Sequence, residues 1–292
     1  MILVTGATGQ FGSKVVTHLL EKGLNPRGIS VLVRDSSKAI SIKEKGVHIK
    51  EGDYSNHSSM VKAFQGVDTL LLVSSNSREG VEYRTMHHKN AIKAAIEAKV
   101  NHIVYTSFVR KPGYEDSAIA DFQNSHVESE NYLKDSGIDY TILQNGIYAE
   151  MIPAFAGNKV AETESIFFPA GDGKASWVLR DELAEAAAHV LTTEGHKNKT
   201  YSLTNTESVG FSDIAQNISE ILNKTVKYKS PDASEFKSLM EKSGVPEMYI
   251  GMLTMWGTAL AQQTMDKEDD TLAAFLKRKP TSISHFIAKI YS

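Results

Sequence analysis

Three glycines near the start of the chain have the spacing of a turn that binds the pyrophosphate of a dinucleotide. Gly6, Gly9 and Gly12 follow the short apolar run 2–4, and an apolar helical pattern continues to position 20. A strand, a glycine turn and a helix form the context in which this spacing binds nucleotides, because unpaired amides at a helix start favour an anion. A tight strand-to-helix turn alone could use two of the three glycines. The residues predicted to bind the cofactor here are Gly6, Thr8, Gly9, Gln10, Phe11 and Gly12.

The residue after the second predicted strand indicates which dinucleotide is bound. That strand, 29–33, is followed directly by Arg34. An acidic residue at this position commonly binds the ribose 2′-hydroxyl of NADH, whereas an arginine accommodates the 2′-phosphate of NADPH. Arg34 therefore favours NADPH, although the adjacent Asp35 keeps NADH possible. The alternative is that Arg34 is only a solvated basic residue of a loop.

Polar residues after the later strands complete the candidate cofactor site. Asp53 could accept a hydrogen bond from the adenine amino group, or it could only cap the turn before a helix that begins at Ser55. Ligands of a parallel α/β sheet bind at the carboxyl ends of its strands. We place Asn145 on the nicotinamide side of the cofactor. The other predicted contacts are Ser74, Ser75, Thr106 and Ser107.

Short buried strands alternate with helices through the first half of the chain. This alternation predicts an α/β fold with a doubly wound parallel sheet, the Rossmann fold. We predict a dinucleotide-binding domain over 1–148 and a smaller, interleaved α/β C-terminal lobe over 149–292. An extra strand near 176–178 is a candidate for the main sheet. The six predicted strands of the first domain are 2–4, 29–33, 47–49, 69–73, 102–106 and 140–143.

Composition and charge exclude several classes of function. The net charge of −3 gives no electrostatic footprint for nucleic acid or an anionic membrane. The chain has no cysteine, which excludes disulfides, thiolate metal sites and cysteine nucleophiles. His87 and His88 are adjacent on a predicted helix and therefore point apart, so we predict no metal site. No apolar run approaches the length of a membrane span, and we expect a cytoplasmic protein.

Besides the glycine turn, further motifs spread over nearly the whole chain carry a resemblance to a known family. They are 52–54, 105–107, His126 with Glu130, 144–148, 170–174, 194–201 and 244–246. On these segments the chain resembles the NmrA-like group of atypical short-chain dehydrogenases/reductases. Within that group it is similar to the type 2 NAD(P)H:quinone oxidoreductases and the triphenylmethane reductases.

The resemblance implies NADPH-dependent reduction of quinone-like acceptors by direct hydride transfer, without a flavin. Many members of the superfamily use a Tyr-x-x-x-Lys pair for proton transfer, but no tyrosine of this chain has a lysine four residues later. The missing pair argues against alcohol dehydrogenation by the tyrosine mechanism. Gln144 stands where the resemblance leads us to expect arginine, and the loop beginning at Phe108 varies among relatives. These departures leave the acceptor open.

A quinone makes few demands on such a site, because it is already a strong electrophile that mainly has to be stacked near the nicotinamide. Tyr148 and Phe108 are the predicted platform for the acceptor. His126 and Tyr148 are the predicted catalytic residues, with His126 as a possible hydrogen-bond donor. The alternative for His126 is a helix histidine bonded to Glu130 one turn on. The stretch 248–256, rich in methionine and aromatic residues, is either core or a lid over an aromatic acceptor.

Two functions of different classes fit these features. The first is an NADPH-dependent reductase of quinones or dyes, which binds a small aromatic acceptor. The second is a redox sensor that binds NAD(P) and regulates a partner without turnover, as some NmrA-like proteins do. The lack of an unmistakable catalytic residue favours the sensor, whereas the resemblance to reductases favours the enzyme. A homodimer is the common default for enzymes of this kind.

Overall fold

The computed structural model describes residues 1–76, 80–157 and 159–292. Eleven strands, thirteen α-helices and four short 3-10 helices lie in this part of the chain. The strands are β1 (Ile2–Val4), β2 (Ile29–Val33), β3 (His48–Glu51), β4 (Thr69–Leu72), β5 (His102–Phe108), β6 (Asp139–Asn145), β7 (Ser165–Phe167), β8 (Lys174–Ala175), β9 (Lys199–Leu203), β10 (Val209–Gly210) and β11 (Lys227–Lys229).

The helices vary from single turns to seventeen residues. They are α1 (Gly12–Glu21), α2 (Ile40–Lys43), α3 (His57–Phe64), α4 (Val81–Glu97), α5 (Ala120–Asp135), α6 (Ile152–Ala156), α7 (Val160–Thr163), α8 (Arg180–Thr192), α9 (Phe211–Leu222), α10 (Ala233–Lys242), α11 (Glu247–Ala261), α12 (Thr271–Leu276) and α13 (Ile283–Tyr291).

The main sheet has seven strands in the order β3-β2-β1-β4-β5-β6-β9. The pairs from β3 to β6 are all parallel, and strand order reverses between β1 and β4. This is the doubly wound arrangement predicted from the alternation of strands and helices, so the predicted fold class is confirmed. The predicted strands match the observed ones to within two residues at each end. The seventh strand is β9, whereas the candidate segment 176–178 contributes one isolated bridge, between Tyr148 and Val178.

A core of aliphatic and aromatic side chains holds the helices against this sheet. Leu70, Ile103 and Ile142 of the strands are fully buried with Phe64 of α3 and Leu133 of α5. Burial of a side chain of this size contributes about 1.5–3 kcal/mol to stability. The core therefore fixes which strand ends lie side by side.

The chain divides into two compact units whose boundary differs from the predicted one. The first unit contains residues 1–108, 124–145 and 180–202, and the second contains 109–123, 146–179 and 203–292. The predicted boundary after 148 therefore does not separate them, because α8 and most of β9 join the first unit. Packing explains the difference: α8 lies against α1, and Lys14 of α1 forms an ion pair with Asp181 of α8.

The second unit contains two small sheets and most of the shorter helices. β8 pairs with β10 in antiparallel fashion, and β7 pairs with β11 in parallel. The aromatic side chains of Phe155, Phe168, Trp177 and Phe211 pack together in its core, with ring centroids between 4.9 and 6.5 Å apart. The unit thus has a hydrophobic core of its own.

Two expectations about local structure require correction. The helix after β3 is capped by Asn56, whose side chain accepts the Ser59 amide at 3.0 Å, and not by Ser55. The stretch 248–256 lies on α11, but Met248 is 79% exposed, so a uniformly buried stripe is wrong. Trp256 of the same helix packs edge to face on Phe122, with ring centroids 5.5 Å apart. No helix in the described part of the chain is long and apolar enough to cross a membrane.

The glycine turn is as tight as its spacing predicts. Gly6 has a φ of +60°, and its carbonyl oxygen accepts the Gly9 amide at 2.9 Å. A Cβ atom added at Gly12 would lie 2.4 Å from the Gly6 carbonyl oxygen and 2.9 Å from the Ala7 Cα atom. Any side chain at position 12 would therefore push α1 away from the turn.

We expect Gly12→Ala to lower the free energy of unfolding by about 1–3 kcal/mol, because the added methyl group overpacks a backbone contact. The same shift should weaken dinucleotide binding by about tenfold or more, since we expect the first amides of α1 to face the pyrophosphate. Urea unfolding and fluorescence titration with NADPH measure the two effects. Gly28→Ala is the matched control, because a Cβ atom there meets nothing within 4 Å. Equal behaviour of the two variants would contradict the packing argument.

Candidate active site

A partly buried tyrosine, Tyr54, connects the strand ends beside the glycine turn. The Tyr54 hydroxyl lies 2.6 Å from Thr5 Oγ1 and 2.8 Å from the Val73 carbonyl oxygen. Thr5 Oγ1 in turn accepts the Val73 amide and donates to the Leu71 carbonyl oxygen. These bonds join the ends of β1 and β4, where strand order reverses. Burial raises the pKa of Tyr54, so the hydroxyl stays protonated and acts as a structural link.

The two residues after β2 have different environments. Arg34 is exposed. Asp35 caps the following turn, where its carboxylate accepts the Ser37 amide at 3.0 Å and the Ser37 hydroxyl at 2.6 Å. These bonds to Ser37 hold the pKa of Asp35 below its usual value. A carboxylate used in this way is poorly placed to bind a ribose hydroxyl, which favours NADPH over NADH.

Asp53 also acts as a cap. Its Oδ1 atom accepts the Ser55 amide at 2.8 Å and the Ser55 hydroxyl at 2.7 Å. The pKa of Asp53 is lowered, chiefly by the bond from the Ser55 hydroxyl, with a smaller contribution from the charge of Arg34. These contacts are those of a residue that caps the turn before α3. A contact of Asp53 with adenine stays a prediction.

The ends of β4 and β5 bring three of the predicted cofactor residues together. The Ser74 amide donates to Thr106 Oγ1 at 2.8 Å. The Ser75 amide donates to His88 Nε2 at 2.8 Å, and Ser75 Oγ lies 3.0 Å from His87 Nδ1. The adjacent histidines of α4, His87 and His88, therefore both form hydrogen bonds with Ser75. Neither histidine was predicted to contact Ser75.

Asn145 carries the most direct indication of a ligand. It is the last residue of β6 and is 2% exposed. Within the described residues, neither its Oδ1 nor its Nδ2 atom has a hydrogen-bond partner. A buried polar group without a partner costs about 1–3 kcal/mol, so its persistence calls for an explanation such as a bound molecule. One donor and one acceptor at this strand end fit the carboxamide of a nicotinamide ring.

A buried carboxylate contacts Gln144, the residue before Asn145. Glu130 of α5 is fully buried and accepts the Ser107 hydroxyl at 2.5 Å. Gln144 Nε2 lies 3.3 Å from Glu130 Oε1, and Lys134 Nζ lies 4.0 Å from Glu130 Oε2. Gln144, which stands where arginine was expected, thus keeps a weaker contact with this carboxylate. The Ser107 hydroxyl is engaged here, and its contact with a cofactor stays a prediction.

His126 has partners other than the predicted Glu130. It is 1% exposed, with Nδ1 2.9 Å from the Tyr105 hydroxyl and Nε2 2.9 Å from Arg84 Nη2. Its ring stacks on that of Phe108, with centroids 6.5 Å apart and planes inclined by 26°. Ser107 and Gln144 contact the Glu130 carboxylate, and a bond between His126 and Glu130 stays one alternative. His126 and Phe108 are brought together as expected.

Tyr148, the remaining predicted site residue, lies in the second unit. It is half-buried, three residues after Asn145, and precedes the short turn Ala149–Met151. Its role toward an acceptor stays a prediction. The sequence pattern missed Tyr54, Arg84 and His88, which contact the loops of the site. Of these three residues, only Tyr54 lies in a segment, 52–54, that carries the family resemblance.

The whole chain matches known proteins. A model of the NmrA-like family matches residues 1–287. Quinone oxidoreductase 2 of Escherichia coli (strain K12) is 31% identical over 293 residues, which cover 100% of this chain and 99% of that protein.

Two solved structures are similar over their full length. One is the triphenylmethane reductase of a Citrobacter species complexed with NADP(H), with a TM-score of 0.91, 34% identity and 100% of both chains covered. The other is an NADPH-dependent quinone oxidoreductase of Escherichia coli complexed with NADPH, with a TM-score of 0.91, 30% identity and 100% of both chains covered. These matches confirm the predicted family and fold class.

Replacing the Asn145 amide with an apolar group of similar size tests whether it serves a ligand. We expect Asn145→Leu to leave the free energy of unfolding of the free protein unchanged or raised, because a buried group without a partner is removed. The dissociation constant for NADPH should rise about tenfold or more. Thermal unfolding and NADPH titration measure the two quantities.

Asn205→Leu is the matched control. Asn205 is equally buried, but its Nδ2 atom donates to the carbonyl oxygens of Trp177 and Thr281 at 3.0 and 3.1 Å. We expect this variant to lose about 1–3 kcal/mol of stability. NADPH affinity unchanged in Asn145→Leu would rule out the cofactor as the partner of this amide.

Proposed function

The chain belongs to the NmrA-like family, and from this premise we propose that it is an NADPH-dependent reductase. In this proposal it transfers hydride to a quinone or a similar conjugated electrophile without a flavin. The observation that carries the proposal is the buried Asn145 amide at the end of β6, which fits a nicotinamide carboxamide. Its support is the full-length similarity to a quinone oxidoreductase and to a triphenylmethane reductase.

The proposed cofactor is NADPH, held by backbone amides and a basic side chain. The glycine turn and the first amides of α1 would hold the pyrophosphate, and Arg34 would hold the 2′-phosphate. The Asp35 carboxylate caps the turn by accepting hydrogen bonds from Ser37. Arg34 is therefore the residue after β2 that we propose contacts the ribose end of the cofactor. Ser74, Ser75 and Thr106 line the neighbouring strand ends, and Asn145 would orient the nicotinamide. When bound, the cofactor supplies a hydride.

We propose a quinone-like acceptor because its reduction requires no strong acid in the site. Hydride addition reduces a quinone by two electrons to a hydroquinone anion, which is a weak base and takes its proton from water. The chain therefore needs an apolar surface and correct positioning more than a strong acid. Phe108, stacked on His126, offers such a surface. The proposed partner is a small aromatic molecule.

We further propose that the protein is cytoplasmic and forms a homodimer.

A panel of acceptors tests the proposal directly. The purified, flavin-free protein would be mixed with NADPH and with benzoquinones, naphthoquinones and triphenylmethane dyes, and NADPH oxidation followed by absorbance. We expect turnover of at least one class of acceptor. Tight NADPH binding without turnover of any acceptor would refute the reductase and favour the NAD(P)-binding sensor.

The role of Arg34 can be tested by the preference between cofactors. We expect Arg34→Ala to weaken NADPH binding by about tenfold to a hundredfold, as for loss of a charge-assisted contact, and to change NADH binding little. Dissociation constants for both cofactors measure the preference. Arg27→Ala is the control, because Arg27 is also exposed but lies before β2. Equal losses for NADPH and NADH would contradict a contact with the 2′-phosphate.

A further inference from the structure

Two buried histidines of the first unit each face a group that can only donate a hydrogen bond. His88 Nε2 lies 2.8 Å from the backbone amide of Ser75. His126 Nε2 lies 2.9 Å from Nη2 of the Arg84 guanidinium. A backbone amide and a guanidinium carry protons and have no acceptor atom on nitrogen. Both Nε2 atoms must therefore accept, which fixes where each ring carries its proton.

His88 shows the consequence first. Burial, together with the charge of Arg84, holds the pKa of His88 well below its usual range, so the ring is neutral. With Nε2 as an acceptor, the single proton lies on Nδ1, which is 2.8 Å from Ser129 Oγ. Ser129 Oγ donates its own proton to the Ser125 carbonyl oxygen at 2.6 Å and is free to accept. Every donor in this chain of bonds thus has an acceptor.

The proton of His126 is fixed in the same way, by the donor that faces its Nε2 atom. Because Arg84 donates to Nε2, a neutral ring carries its proton on Nδ1, which then donates to the Tyr105 oxygen 2.9 Å away. Tyr105 is fully buried, and burial raises its pKa, so its hydroxyl keeps its proton. The same hydroxyl lies 3.1 Å from His88 Nδ1 and forms a hydrogen bond with Ser129 that partly offsets the effect of burial on this pKa. An imidazolium at His126 would instead direct an N–H group at the N–H groups of Arg84.

We propose that Arg84 is a positioning residue that locks His126 as the neutral tautomer with its proton on Nδ1. The guanidinium can only donate to the His126 Nε2 atom, so the neutral ring has to carry its proton on Nδ1. The lock rests on geometry: Arg84 on the first turn of α4 reaches both His126 and Ser125, at 2.9 and 3.4 Å. The proton of His126 faces Tyr105 in the protein interior, so His126 does not act as the donor to an acceptor.

Charged and titratable groups surround this cluster from three elements. α4 contributes Arg84, His87 and His88, β5 contributes Tyr105, and α5 contributes Glu130. Tyr54 adds a further hydroxyl whose electrostatic effect reaches Tyr105. Glu130 is the acidic group of this set, and its carboxylate is bonded to Ser107. Within this set, Arg84 is the charged group in contact with the His126 Nε2 atom.

If the proposed reductase function holds, the lock also narrows the class of acceptor. A site whose histidine is kept neutral supplies no proton to the product over the physiological range. Acceptors whose reduced form is a weak base, and so takes its proton from water, are the ones such a site can reduce. This second step depends on the proposed function, whereas the tautomer does not.

Nitrogen NMR of the free protein tests the lock without cofactor or acceptor. Histidine-labelled protein would be recorded in long-range proton–nitrogen correlation spectra between about pH 5 and pH 8, and the signals assigned with His126→Gln and His88→Gln. We expect both rings to remain neutral with the proton on Nδ1 throughout. A His126 ring protonated on Nε2, or an imidazolium at neutral pH, would overturn the proposal.

Arg84→Met tests whether Arg84 is the cause. We expect the His126 ring in this variant to populate the tautomer protonated on Nε2, because Nε2 then no longer faces the guanidinium and Tyr105 can donate to Nδ1. Arg27→Met is the control, because Arg27 is exposed and lies before β2. A His126 ring that stays neutral with the same tautomer in Arg84→Met would overturn the role of Arg84. If Arg84→Met fails to fold, the wild-type spectrum still decides the tautomer.

Kinetics give a second readout if the protein reduces an acceptor. We expect kcat/KM of the wild type to be independent of pH between about pH 5 and pH 8, because the His126 proton faces Tyr105 and not an acceptor. The variant His126→Gln should be independent of pH as well. A wild-type profile that follows a single histidine would overturn the lock. A protein without turnover would refute the reductase function while the spectra still decide the tautomer.

Discussion

The close approach of α1 to the glycine turn is the contact on which the candidate site depends. Gly12 lies against the Gly6 carbonyl group so closely that even a methyl group would collide with it. The contact fixes the start of α1 beside the end of β1, next to the point where strand order reverses between β1 and β4. The Tyr54 hydroxyl and Thr5 join the ends of the same two strands by hydrogen bonds. One small region thus fixes the strand ends and the helix start at which we propose that the pyrophosphate binds.

Most of the first unit could be predicted from the sequence, because its signals are local. Strands buried on both faces form continuous apolar runs, and glycines mark the turns, so the inner strands and the fold class follow from pattern alone, whereas the exposed edge strand β3 has a weaker signal. The boundary between the units could not be predicted in this way. α8 joins the first unit through packing on α1, and the pairing of Lys14 with Asp181 has no signature along the chain. The cap of α3 was misplaced by one residue, since Ser55 and Asn56 are both good caps.

The candidate site could be predicted where a strand end determines the position of a side chain. Asn145, Thr106, Ser74 and Ser75 lie at the ends of their strands as expected. The partners of His126 could not be predicted, because they depend on how α4 and α5 pack against each other. Glu130 lies one helical turn from His126, and the geometry brings Ser107 to Glu130 and brings Tyr105 and Arg84 to His126. Spacing on one helix suggests a pair, but the neighbouring elements supply further partners.

The central claim is that hydride passes directly from NADPH to an acceptor at the carboxyl ends of these strands. The most direct measurement uses flavin-free protein and NADPH that carries deuterium on one or the other face of the nicotinamide C4 atom. The account predicts a primary kinetic isotope effect on acceptor reduction for one face only, because a bound nicotinamide presents a single face. No isotope effect for either face, or reduction only after a flavin is added, would contradict it.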